Sequence, residues 1–116
     1  MKLGKAVGTM LHLIGVNPKM HGYTYLRWCI IRYHVKNKEY RFQSLCKTLL
    51  PDCGRAYGTN WNAVERSCRS ALNNAGCGYS VVEFIMRSHA FLEMFDGDDV
   101  VDPDVFTWVL KNICKL

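Results

Sequence analysis

The stretch Thr59 to Ala75, TNWNAVERSCRSALNNA, leaves the chain little choice of local structure. Its apolar residues Trp61, Val64, Cys68, Ala71, Leu72 and Ala75 recur at the spacing of a helix buried along one side. Thr59 or Asn60 can cap that helix, and Gly58 suits a tight turn with positive φ just before it. The other side is polar. Asn62, Glu65, Arg66 and Arg69 stand at i, i+3, i+4 and i+7 and share one stripe, with Asn73 beyond them. As base-edge chemistry the stripe is coherent: Asn can pair with adenine, Arg can fork onto guanine, and Glu can accept from the cytosine amine. The plainer reading is a solvated face carrying a Glu65–Arg69 ion pair at i, i+4.

The residues upstream add to the base-reading case. Leu45 to Tyr57, LCKTLLPDCGRAY, contains Pro51-Asp52 as a helix start, with Pro in a first turn where its missing N–H costs little. Gly58-Thr59-Asn60 then links to the longer helix. A short helix, a Gly-containing turn and an amphipathic helix make the helix-turn-helix plan, here at about 51–76. A helix roughly 10–12 Å across fits a major groove roughly 12 Å wide. In that plan the first helix crosses the backbone, which makes Lys47 and Arg55 candidates for phosphate contacts.

Pro51-Asp52, Tyr57, Thr59 and Val64-Glu65-Arg66 with Arg69 and Ala71 resemble the C-terminal effector domain family of the sporulation response regulator, stage zero sporulation protein A. Ile14-Gly15-Val16 and Gly22-Tyr23-x-Tyr25-Leu26-Arg27 extend the likeness upstream in register, over residues 10 to 75 or so. The resemblance implies an all-α fold of about six helices around a helix-turn-helix, and a transcription regulator that binds duplex DNA. It also implies that Glu65, Arg66 and Arg69 face the bases, and Asn62 joins them on chemical grounds. Lys47, Arg55, Asn60 and Ser70 are the expected phosphate contacts, which position the helix without reading sequence. Two departures stand out: Ala63 and Ser70 occupy positions where the family typically shows Arg and His. The family's regulator also carries a phosphorylated receiver domain, for which 116 residues leave no room. The expectation is therefore a stand-alone domain that is either constitutively active or controlled by abundance or by a partner, rather than by aspartyl phosphorylation.

Bulk properties fit one cytoplasmic domain spanning 1–116. Nearly half the residues are hydrophobic, which argues against disorder, yet no run approaches the roughly 18 apolar residues of a membrane span. The N-terminal MKLGKAVGTMLHLIGV superficially resembles a signal peptide, but Gly8, Thr9 and His12 interrupt its apolar run. Charge is uneven: residues 1 to 78 hold twelve Lys or Arg against three acids, whereas 79 to 116 hold three against seven. The basic part contains the helix-turn-helix, the footprint expected for a polyanion partner. Cys29, Cys46, Cys53, Cys68, Cys77 and Cys114 form no C-x-x-C, and no His has metal-ligand spacing, so reduced, packed thiols and no metal or cofactor are expected. No catalytic motif is recognisable, and the chain reads as a non-enzyme.

Elsewhere the pattern predicts a helix over 3–14 ended by Gly15, with Leu3, Val7, Met10, Leu11 and Ile14 on one side. A buried helix follows over 22–35 around Tyr25, Trp28, Cys29, Arg32 and Tyr33, then a polar connector over 36–41 and a helix over 42–50. Tyr23 and Tyr25 read as core rather than base-stacking residues. A helix over 81–95 places Val82, Ile85, Met86, His89, Phe91 and Leu92 inward. The acidic 96–104 stretch fails the EF-hand register, and Asp102-Pro103 caps a last helix with Val105, Trp108, Val109 and Ile113 along one seam. Expected partners are double-stranded DNA, a second copy paired through that last helix on tandem or paired sites, and RNA polymerase, with no membrane. The alternative is a helical protein-interaction module that modulates a sporulation-type regulator without reading DNA sequence.

Overall fold

The apolar spacing of the first sixteen residues folds as expected. In the computed structural model, which describes residues 2–40 and 44–94, helix α1 runs Leu3–Ile14. It buries Val7, Met10 and Leu11, and Gly15 ends it at φ 96°. Four more helices follow among the described residues, and no strand: α2 His21–Tyr40, α3 Leu49–Tyr57, α4 Trp61–Asn74 and α5 Val81–Glu93. The fold is all-α. The expected last helix and the acidic 96–104 stretch lie outside the described residues.

Helix α2 is the post around which the others stand, since it packs against each of the remaining four. Leu26, Cys29 and Ile30 are completely buried, while Tyr23, Tyr25, Trp28 and Tyr33 pack half-buried around them, as the core reading of Tyr23 and Tyr25 requires. It runs past the expected end at Val35. Lys36 breaks the geometry (φ −122°, ψ 33°), and the chain then resumes helix as far as Tyr40 instead of forming a polar connector. Tyr40 supplies the reason. Its side chain is buried, and its hydroxyl donates to Asp52 Oδ2 at 2.7 Å and accepts from Arg32 Nε at 3.1 Å. At the break, the Asn37 side-chain amide donates to the His34 carbonyl at 3.2 Å, meeting an acceptor that a kink would strand.

Of the helix expected over 42–50, only Leu49 and Leu50 are helical among the described residues, and they belong to α3. Leu45–Thr48 form turns ahead of it, with Lys47 N–H donating to the Ser44 carbonyl and Leu50 N–H to the Leu45 carbonyl, both at 3.0 Å. Helix α3 begins at Leu49, so Pro51 falls in its first turn, where no intrahelical N–H bond is lost. The α5 register also differs from expectation. Val81, Phe84, Ile85, Ser88, Phe91 and Leu92 face inward, and Met86 is exposed. Ser88 can occupy the stripe because its hydroxyl donates to the Phe84 carbonyl at 2.6 Å. His34 and His89 bring their Nδ1 atoms to 3.0 Å, linking α2 to α5 through a bond in which one imidazole donates and the other accepts.

The thiols are part of this packing. Cys29, Cys53 and Cys68 come from α2, α3 and α4, and all three are completely buried. The hydrogen bond to Cys53, with burial behind it, pushes the Cys29 thiol well above the ordinary range, and burial does the same to Cys68. All three pack as small hydrophobes, and Cys29 and Cys68 stay protonated. Among the described residues no group of His, Cys, Asp or Glu is placed to hold a metal. Among them, too, no helix is long and apolar enough to cross a membrane.

Candidate nucleic-acid interface

Helices α3 and α4 are joined by three residues whose geometry is set locally. Gly58 sits at φ 69°, a conformation side chains with a Cβ rarely adopt, and lets the Thr59 N–H turn back onto the Gly54 carbonyl at 2.8 Å. Asn60 then caps α4: its side-chain oxygen accepts from the Ala63 N–H at 2.9 Å. Of the two caps the sequence allows, the chain uses Asn60.

The buried side of α4 is Val64, Cys68, Ala71 and Leu72, against α2 and α3. Trp61, expected inward, is 47 % exposed, because it projects from the first turn, where its bulk is only partly covered. Asn62, Arg66 and Arg69 are exposed on the opposite side, and Glu65 lies half-buried among them. One long, well-packed helix therefore presents the four candidate base-reading residues together. Glu65 Oε2 and Arg69 Nη2 are 3.7 Å apart, the ion pair anticipated from their spacing. Both readings of the stripe fit this geometry: a partly exposed ion pair worth about 0.3–0.5 kcal/mol, and a row of side chains whose donors and acceptors suit base edges.

The candidate phosphate contacts fall in different surroundings. Lys47 is exposed in the turn before α3. Arg55 is exposed but paired with Asp52, which also receives the Tyr40 hydroxyl, so its charge is largely balanced in place. Asn60 has committed its oxygen to the cap, which leaves its amide N–H2 as the group it can offer a phosphate. Ser70 is exposed one turn after Arg66, and these two share a concavity of about 370 Å³ with Lys19, His21 and Ser67.

Lys19 and His21 escaped the sequence reading because nothing local ties them to α4. The tie is Gly22. A Cβ placed there would lie 2.6 Å from Ala71 Cβ and 2.8 Å from the Ser67 carbonyl carbon, so α2 and α4 touch almost backbone to backbone. That close approach sets the Lys19–His21 turn beside the polar flank of α4. The only readable signal was Gly22 itself, in the first turn of a helix where a larger residue would be the better helix former.

Comparison with known families gives an independent finding. Residues 7–86 match the family described as Sporulation initiation factor Spo0A C terminal, a span from the middle of α1 through the turn and α4 into α5.

Proposed function

The chain belongs to the Spo0A C-terminal family of DNA-binding transcription regulator domains, and from that membership we propose that it reads duplex DNA sequence-specifically, with α4 in the major groove. The observation that carries this reading is the exposed stripe on α4, backed by a fully buried opposite side. Arg66 and Arg69 each have the geometry for bidentate bonds to guanine, worth about 1–3 kcal/mol of discrimination apiece. Glu65 accepts from cytosine and repels phosphate, so it sharpens choice more than it strengthens binding. Asn62, near the start of the helix, suits adenine. Lys47, Arg55, Asn60 and Ser70 hold the backbone.

Selection from a random duplex library at fixed salt tests this directly, comparing the native chain with Arg66→Ala and Arg69→Ala. The expected result is a G-containing motif that relaxes at a different position in each variant. Enrichment without any motif, equal in all three proteins, would refute base reading and leave backbone attraction. A helix that docks a protein partner would then explain the exposed stripe better.

A further inference from the structure

We propose that the concavity between the α1–α2 turn and α4 is a seat for a DNA backbone phosphate, with Lys19 and His21 acting from outside the helix-turn-helix. The inference rests on the duplex-binding reading and deepens it. Its basis is the convergence of two chain segments far apart in sequence. Lys19 and His21 come from the end of the turn and the first residue of α2, whereas Arg66, Ser67 and Ser70 come from successive turns of α4. Around one concavity of about 370 Å³ they set the Lys19 ammonium, an imidazole and two hydroxyls, with Arg66, whose guanidinium the base reading engages, lining the side shared with the stripe. Among the described residues no carboxylate lines it, and the acid next to Arg66, Glu65, is engaged with Arg69.

The position suits a backbone contact rather than a base contact. A helix lying in the major groove has its stripe against base edges and its flanks against the phosphates that border the groove. Arg66 and Ser70 are one turn apart on the flank facing Lys19 and His21, so the concavity opens beside the reading stripe. The turn that carries Lys19 is also held in place. Its own N–H donates to Asn17 Oδ1 at 2.9 Å, and Met20 N–H donates to the Asn17 carbonyl at 3.1 Å. Because Gly22 presses α2 onto α4, the distance from this cation to the stripe is fixed by backbone contact rather than by long side chains. A phosphate held there would fix how deeply and at what angle α4 enters the groove.

The test is the salt dependence of binding to the selected duplex for the native chain, Lys19→Ala, Lys19→Arg and Lys38→Ala. Lys38 removes the same charge from the far end of α2, roughly 25 Å along the helix. Losing one phosphate contact should lower the slope of log K against log salt by about 0.9, and weaken binding about two- to fivefold on every sequence alike. Lys19→Ala should do both, Lys19→Arg should keep the native slope, and Lys38→Ala should leave the slope unchanged. The proposal is overturned if Lys19→Ala keeps the native slope, or if Lys38→Ala lowers it equally, since only the overall field would then be at work. A native chain that binds no duplex would remove the reading beneath it as well. A native chain that binds duplex without a motif would remove base reading and leave the seat standing. Titration with inorganic phosphate alone, followed by NMR at residues 19–22, separates the remaining source: saturation at low millimolar phosphate would make this a free-anion site and overturn the backbone assignment.

Discussion

Replacing Gly22 with alanine sets two physical effects against each other. Gly22 is the second residue of α2 and has no positive φ, so alanine should favour the helix by at most about 0.8–1 kcal/mol. Against this, the new methyl would stand 2.6 Å from Ala71 Cβ and 2.8 Å from the Ser67 carbonyl carbon. Carbon atoms prefer about 3.5–4.0 Å, so α2 would have to retreat from α4 by about 1 Å. The atoms it meets are backbone and a Cβ, which no rotamer change can move aside. Overpacking of this kind costs about 1–3 kcal/mol and sometimes more, and the upper end applies where nothing can rotate. The clash therefore wins by about 2 kcal/mol or more, a fall of about 10 °C in Tm for a domain of this size. Gly8→Ala is the matched control. A Cβ at Gly8 meets only the Tyr23 hydroxyl, at an ordinary 3.5 Å, so helix propensity should prevail and raise Tm by a few degrees, from about 0.4–1 kcal/mol. Thermal melts followed by circular dichroism measure both. A Gly22→Ala chain as stable as the native one, or more so, would show that α2 and α4 are not in backbone contact, and the placement of Lys19 and His21 beside Arg66 would fall with it.

Three further outcomes follow from the same contacts. Asn60→Ala removes the α4 cap and should cost about 1 kcal/mol in urea denaturation, whereas Asn60→Ser keeps a capping oxygen and most of the stability; a loss of DNA affinity in the serine variant then reports the amide alone. Arg55→Ala removes one cation and also exposes the charge on Asp52, so Asp52→Asn added to it should recover part of the lost affinity in binding titrations; no recovery would mean that Arg55 acts only by its own contact. Below about pH 8.5 the protonated Cys29 and Cys68 thiols match the unfolded state. Their folded values are raised, so their contribution to stability should be lost as pH climbs above that point. Cys68→Ala should flatten the fall in urea midpoint between pH 8 and 10, and an equally steep fall would remove the thiol as its cause.

Legibility in the sequence followed the range of the interactions that decide each element. The bounds of α1 and α4 depend on residues at their own ends, Gly15 for one and Gly58 with Asn60 for the other, and both could be read directly. The tail of α2 could not, because Tyr40 stays helical through bonds to Arg32 on its own helix and to Asp52 on the next one. In α5 the stripe was displaced because Ser88 counts as polar until its hydroxyl is seen returning to the Phe84 carbonyl. The same holds for the candidate site. Its stripe is periodic and therefore visible, whereas the concavity beside it depends on a contact between two helices that only the fold creates.

If α4 reads bases as proposed, the Glu65–Arg69 pair bears on how base preferences should combine. In the free chain each charge already has a partner, so a binding site does not meet a bare guanidinium and a bare carboxylate. It exchanges one contact for two. A guanine that draws Arg69 away leaves Glu65 without its counter-charge beside the phosphates, unless a cytosine amine lies within its reach; a cytosine offered to Glu65 while Arg69 has no guanine wastes the exchange in the other direction. On that reading the two positions are judged together. A table that scores each base of the site independently would then misestimate affinity at this step, and the error should shrink when Glu65 and Arg69 are uncoupled by replacing either one.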